Sequence, residues 1–233
     1  MLEQNKLDTV LSQVKDFPPI PQTAFKVVQL LKDPDYHVTD LVYCISKDIG
    51  LTTEILKLAN SGFYSPNHTI TTVKQAITFL GMNSVKNLVI SLSSKALYGS
   101  GTIRLLEQKL WEHSLTTAIG GRITALKVKP ALAEECFILG LLHDIGQLIL
   151  AKQVPAYEDI VRDAYNKGLD LRKLENDELG FDHGEVGGLA MKNWEMPDVF
   201  VDVVMNHHQP EKSVNKDLAH LVCFVNNLVK LSG

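Results

Sequence analysis

The chain is poor in the residues that would staple its fold or advertise its function. Its 233 residues include three cysteines, Cys44, Cys136 and Cys223, set far apart. They form no CxxC pair and no zinc-ribbon spacing, which excludes a disulfide framework and predicts reduced, mostly buried thiols. Charge of neither sign accumulates: the formal net charge is −4. No broad field therefore draws in nucleic acid or an anionic membrane, and neither is expected as a partner. No apolar run is long enough to span a bilayer, and Met1-Leu2-Glu3-Gln4-Asn5-Lys6 opens no apolar signal core. A cytoplasmic protein is the expectation. Alternating apolar and polar runs joined by turn dipeptides are missing, which removes strands from the reading. There is also no phosphate-cradling glycine loop and no arginine clamp to outline a substrate pocket.

What is present is helical periodicity, in a chain long enough for one sizeable core or two small domains. A first short helix is followed by Phe17-Pro18-Pro19-Ile20-Pro21, which reads as an extended entry segment. Five short helices then follow. Their apolar stripes are Val27, Val28 and Leu31; Leu41, Val42 and Ile45, capped by Thr39; Leu51, Ile55, Leu58 and Ala59; Val73, Ala76, Ile77 and Leu80; and Val85, Leu88, Val89 and Leu92. Asp33-Pro34-Asp35, Asn60-Ser61-Gly62 and Gly81 are the expected stops. Asn60 is read as satisfying backbone groups with its side chain. Lys74, Lys86 and Lys95 are read as solvated cations.

Gly99-Ser100-Gly101 makes a soft boundary between residues 1–98 and 102–233. Beyond it a long helix, about Thr102 to Lys127, carries His113 and a Gly120-Gly121 pair that predicts a closely packed neighbour. Pro130 suits the first turn of a helix running to Ala151 with a break at Gly146. Further helices are expected from Pro155 to Gly168, from an Asp182 cap to Trp194, from Asp198 to His207 or His208, and from about Lys216 to Leu231. The fold class expected is all-α.

One stretch organises the second half: Gly140-Leu141-Leu142-His143-Asp144-Ile145-Gly146 sets a histidine against an aspartate inside an apolar run. A buried carboxylate is costly unless a cation or hydrogen-bond donor meets it. His113, His183, His207 and His208 lie on three further helices. Neutral imidazoles and a carboxylate converging from separate elements are what one or two divalent metals need. An aspartate can bridge two such ions, and a water activated there can attack a phosphoester. A core histidine–aspartate pair bonded only to itself explains the same residues.

These residues, with Pro18-Pro19-Ile20-Pro21, Asp48-Ile49-Gly50-Leu51-Thr52, Leu58-Ala59-Asn60-Ser61, Ala76-Ile77-Thr78-Phe79-Leu80-Gly81, Trp111-Glu112-His113-Ser114 and Phe181-Asp182-His183-Gly184-Glu185-Val186-Gly187, resemble the HDOD domain. That family is a bacterial signalling relative within the HD superfamily of metal-dependent phosphohydrolases. The resemblance runs over about residues 15 to 230. It implies an N-terminal helical subdomain packed on a C-terminal HD-type helical bundle. It also implies that His113, His143 and Asp144 match the first metal ligands of HD hydrolases, and that His183 and His207 or His208 match the extra ligands of two-metal members. On a helix the adjacent His207 and His208 would point about 100° apart, so one of them is expected to face the site.

Two departures stand out. The closing aspartate of HD hydrolases falls best on Asn226, whose neutral carbonyl is a weaker ligand for a hard cation. After His207-His208 comes Gln209-Pro210-Glu211-Lys212, without the Gly-Tyr-Pro signature of the cyclic-di-GMP phosphodiesterase branch. Glu185 and Glu112 are candidate partners for the neighbouring histidines or solvated residues, and His220 is read as a surface or packing histidine. Trp111 and Trp194 are read as core aromatics. Two functions follow. One is a regulatory module without turnover, meeting a signalling protein, with a metal as a structural pin. The other is a phosphohydrolase acting on a nucleotide or other phosphoester, with His143 and Asp144 as its catalytic pair. Histidine-rich ligation favours iron, manganese, nickel or zinc over magnesium, as one ion or two.

Overall fold

A computed structural model of the chain describes residues 21–30, 37–62, 64, 69–97 and 105–232. The first short helix, residues 17–20 of the proline segment, Asp33-Pro34-Asp35, His68 and the Gly99-Ser100-Gly101 boundary lie outside the described residues. Those described are helical, with no strand among them. The chain divides into two compact units, residues 19–99 and residues 1–18 with 100–233.

The first unit holds α1 (Gln22–Leu30), α2 (Val38–Ser46), α3 (Ile49–Ala59), α4 (Val73–Leu80) and α5 (Met82–Leu97). Its core is built from residues three or four apart: Ala24, Val27 and Val28, then Leu41 and Ile45, then Leu51, Ile55 and Ala59, then Val73, Ala76 and Ile77. Capping fixes the helix starts. Asp48 accepts from the Leu51 N–H at 3.0 Å, and Thr72 accepts from Gln75 N–H at 3.1 Å while Gln75 reaches back. The Asn60 side chain donates to the Leu56 and Ile70 carbonyls at 2.8 and 2.7 Å and accepts from the Ile70 N–H at 2.8 Å. It closes the α3–α4 connection as expected. Thr39 is not the α2 cap: the helix starts at Val38, after His37, whose N–H donates to Asp40 at 3.0 Å. Lys74 and Lys95 are exposed, whereas Lys86 is buried.

The second unit holds α6 (Leu105–Val128), a 3-10 turn at Pro130–Leu132, and α7 (Ala133–Leu142) and α8 (Ile145–Gln153). It continues with α9 (Tyr157–Lys167), α10 (Leu171–Leu179), α11 (His183–Asn193), α12 (Asp198–Asn206), a 3-10 turn at Pro210–Lys212 and α13 (Lys216–Ser232). Every residue from Cys136 to Ala151 is buried. An all-round apolar helix belongs inside, and α7 and α8 are the centre the other helices surround. Each fully buried Leu or Ile there, such as Leu139, Leu142 and Ile145, contributes about 1.5–3 kcal/mol. The Gly120-Gly121 pair does mark close packing: a β-carbon on Gly121 would sit 3.2 Å from the Cys136 carbonyl of α7, and one on Gly120 would sit 2.9 Å from Val225 of α13.

Two expectations are corrected here. The break between α7 and α8 falls at His143-Asp144 and not at Gly146. The His143 N–H still donates to Leu139 at 2.7 Å, but Asp144, at φ −98° and ψ 15°, leaves the helix. Gly146 is inside α8, and its lack of a side chain serves packing: a β-carbon there would lie 1.9 Å from the His183 carbonyl oxygen. The second correction is α10, a helix that the apolar periodicity did not announce. Its one fully buried residue is a glutamate, Glu175.

Candidate metal centre

The second unit brings five of its six histidines to one point. His113 lies on α6, His143 and Asp144 form the α7–α8 turn, and His183 opens α11. His207 and His208 follow the last residue of α12, and Asn226 lies on α13. Asp144 is at the middle. Its Oδ2 is 3.2 Å from His143 Nε2 and 3.5 Å from His113 Nε2, while its Oδ1 is 3.3 Å from His183 Nε2 and 3.4 Å from His207 Nε2. Two ligand groups result, sharing the aspartate. One is His113, His143 and Asp144; the other is Asp144, His183, His207 and His208, and within each group the candidate ligand atoms lie within 4.8 Å of one another.

Both adjacent histidines take part, contrary to the expectation of one. The 100° offset holds within a helix, but α12 stops at Asn206 and the pair occupies the turn beyond it. Their rings lie 4.0 Å apart, centroid to centroid.

Three of the rings are aimed from behind. His143 Nδ1 lies 2.9 Å from the Gly140 carbonyl and His207 Nδ1 2.6 Å from the Val204 carbonyl, so each Nδ1–H donates there. His183 Nδ1 lies 2.7 Å from a Glu175 carboxylate oxygen. An imidazole that donates through Nδ1 keeps the Nε2 lone pair for a ligand, the usual support for a metal-bound histidine. The consequence is a cluster of buried polar atoms without hydrogen-bond partners: His143 Nε2, His207 Nε2 and both Asp144 oxygens. An unsatisfied buried polar group costs about 1–3 kcal/mol. Their concentration around one carboxylate is what nitrogen and oxygen ligands to a divalent cation look like from the protein side, and the donor set fits such an ion.

The electrostatics agree. Burial alone would raise the Asp144 carboxyl, but His143, with His183 and His207 around it, holds it well below the usual carboxylate range. Burial lowers His113 and His207 each to about 4, so both are neutral at physiological pH. Burial would lower His183 as well, but the Glu175 and Asp144 carboxylates lift it to about 10. His183 Nε2 and His208 Nε2 are 2.9 Å apart. Two lone pairs cannot face each other at that distance, so a proton sits between them, and the charged ring is His183. His208 itself is lowered, by burial first and then by the His207 and His183 rings beside it.

Asn226 is fully buried, with Oδ1 3.0 Å from His113 Nε2. Glu185 instead closes a capping box: it accepts from the Asp182 N–H at 3.3 Å, while Asp182 accepts from Glu185 N–H at 3.1 Å. Glu112 is exposed beside Gln108 and Lys109, and His220 is exposed against Glu211 at 2.9 Å. Trp194 is buried and Trp111 half-buried. Sequence reasoning missed Glu175. The Asp170 cap and Gly180 stop bracketing nine residues were the signal that could have found its helix.

Five imidazoles converging on the aspartate of a His-Asp pair, in an all-helical scaffold, define an HD-type architecture. The HDOD domain profile matches residues 17–210, and the chain belongs to the HDOD domain family. An uncharacterized protein of Treponema pallidum (strain Nichols) is 24% identical over 95% of the chain. The chain spans 44% of that relative's length. Among solved structures, a candidate phosphohydrolase from Shewanella amazonensis SB2B superimposes with a TM-score of 0.76 at 24% identity, over 95% of this chain and 80% of that one. A candidate signal transduction protein from Marinobacter aquaeolei VT8 superimposes with a TM-score of 0.81 at 22% identity, over 99% and 55%. At such identities these two likenesses speak for the fold alone. No helix among the described residues is long and apolar enough to cross a membrane.

Proposed function

We propose that the chain is a regulatory, signal-transducing HDOD module whose His/Asp centre holds a divalent metal as a structural pin. One observation carries this reading. The ligand atoms converge in a nearly closed site, where His143, Asp144, His183 and His207 are each at most 1% exposed. Structural metal sites are closed, whereas catalytic ones keep an open position. Asp144 Oδ1 with His183, His207 and His208 would form one coordination site. Asp144 Oδ2 with His113 and His143 would form the other, with Asn226 beside it. The imidazole-rich set favours iron, manganese, nickel or zinc. The partner on this reading is another signalling protein, met through helix surfaces, with neither nucleic acid nor membrane involved.

The second reading is a metal-dependent phosphohydrolase acting on a nucleotide or other phosphoester, with His143 and Asp144 at its reaction centre. It draws support from the partly open edge: the His113 side chain is 18% exposed and His208 is half-buried. A bound divalent pair supplies Lewis-acid polarisation and nucleophile activation in such chemistry. This chain's own residues would do the rest. Asp144 would hold the two ligand groups together, and His113 and His208 would meet the anionic substrate at the rim.

Elemental analysis of purified protein beside an Asp144→Ala variant tests both readings, with a phosphoester turnover assay on the same samples. Metal in the parent and none in the variant, without turnover, supports the regulatory reading. Metal-dependent turnover abolished in Asp144→Ala replaces it with the hydrolase. A parent that takes up no metal, even anaerobically, removes both.

A further inference from the structure

Among the described residues, Glu175 is the one fully buried carboxylate outside the ligand cluster to touch it. It occupies α10, where it is the one fully buried residue, and its two oxygens are fully employed. The Tyr157 hydroxyl, from α9, donates to Oε1. Oε2 accepts from the His183 backbone N–H at 3.1 Å and from His183 Nδ1–H at 2.7 Å. Burial of the tyrosine next to a carboxylate holds its hydroxyl well above its usual pKa, so it stays a donor. A buried charge with one partner removed costs several kcal/mol. Nothing in helix packing alone calls for a glutamate at this position, since an apolar side chain would fill it more cheaply.

Resting on the metal-site reading above, we propose that Glu175, itself held by Tyr157, is a positioning residue that commits the His183 Nδ1–H and so keeps Nε2 turned toward Asp144 and His208. The geometry is doubly determined. Glu175 grips His183 through both backbone and ring, and on the other side the His183 carbonyl rests against Gly146, where no β-carbon would fit. The ring therefore has one orientation, with its Nδ1–H already committed, before any ion arrives. Carboxylates placed behind a ligating imidazole raise its basicity and commonly change metal affinity by roughly 10- to 100-fold when removed. The two helices α9 and α10, which contribute no ligand atom, thus reach the centre through a tyrosine and a glutamate.

The test compares parent, Glu175→Gln, Tyr157→Phe, His183→Ala and the Glu175→Gln/His183→Ala double variant. Each is checked for folding by circular dichroism, then titrated with Zn²⁺ against a competing chelator. The expected result is a loss of roughly 10- to 100-fold for Glu175→Gln, a smaller loss for Tyr157→Phe, and no further loss when Glu175→Gln is added to His183→Ala. A merely structural role would show the same loss in both backgrounds, and that overturns the proposal. In parallel, ¹⁵N NMR of the metal-free protein reads the His183 Nδ1–H directly. Glu175→Gln should shift or broaden the hydrogen-bonded Nδ1–H resonance. A parent that binds no Zn²⁺ would end the metal-site reading, while an unchanged His183 resonance in Glu175→Gln would overturn the positioning role whether or not metal binds.

Discussion

Loading the centre should expel a proton, and the geometry says which one. In the metal-free protein His183 donates through Nδ1 to Glu175 and shares a proton between its Nε2 and that of His208, 2.9 Å away. With its pKa lifted to about 10, His183 keeps that proton near neutral pH. His113 and His207, lowered to about 4, hold none to give up. An ion entering between Asp144 Oδ1, His183, His207 and His208 needs the His183 Nε2 lone pair, so about one proton must leave from that ring. The sign follows: raising pH removes the proton and frees the lone pair, and affinity rises about tenfold, or about 1.4 kcal/mol, per pH unit until His183 has titrated.

Isothermal titration with Zn²⁺ in two buffers of different ionisation enthalpy measures the proton count. Repeating the titration at several pH values measures the slope. About one proton released, with affinity climbing through the neutral range, is the expected result. No release, together with an affinity indifferent to pH, would refute the protonated His183. It would also refute the view that Glu175 and Asp144 outweigh burial at that ring.

Three further outcomes are expected. In the metal-free protein His183 has a pKa raised on folding from 6.5 to about 10; the stabilisation is complete below about 6.5 and is lost as pH rises through about 10, so urea midpoints should fall across that window. A flat profile would contradict this. Gly146→Ala puts a methyl group where the His183 carbonyl oxygen is 1.9 Å away, backbone against backbone; overpacking should cost about 1–3 kcal/mol or more and weaken metal uptake, and a variant as stable as the parent by urea denaturation would show the approach to be looser. Asn226→Asp adds a carboxylate 3.0 Å from His113 Nε2; metal content by elemental analysis should rise from about one ion per chain toward about two, and an unchanged content would mean that Asn226 is not what limits the second ion.

The all-helical class was readable because the outer helices obey a plain spacing rule, as in Leu51, Ile55 and Ala59, or Val73, Ala76 and Ile77. The histidines were readable because His143-Asp144 interrupts a run that is otherwise wholly apolar. The misses have separate causes. Apolar periodicity reports residues that shed water for want of hydrogen bonds, and α10 buries a charge instead, so the rule passes over it. Proximity in sequence then pointed to Glu185, two residues from His183, but a helix N-terminus had already claimed that side chain for capping. Glu175, eight residues earlier in the chain, reaches the ring because Gly180 ends α10 and turns the chain back. Gly146 was read as a helix breaker when its backbone closeness to His183 is a tertiary requirement, invisible until both helices are placed. The pair His207-His208 was treated as helical when the turn after Asn206 sets both rings on one side.

Charge decides what the centre can hold. Once His183 has given up its proton the imidazole ligands offer no negative charge, so compensation for a buried cation comes from Asp144 directly and from Glu175 one ring behind. Together they balance about one divalent ion, and that ion belongs on the Oδ1 side, where three histidines and the Glu175 support converge. A second ion on the Oδ2 side would find His113, His143 and an asparagine where the superfamily pattern expects an aspartate. It would leave about two positive charges uncompensated in a site that water scarcely enters. A phosphoester could supply the missing negative charge, but it could arrive only along the rim where His113 and His208 retain exposure. The structural pin and the hydrolase therefore differ in something countable. The first needs one ion and no anion, whereas the second needs two ions and an anion bound together, so metal stoichiometry measured with and without a phosphoester separates them before any turnover is sought.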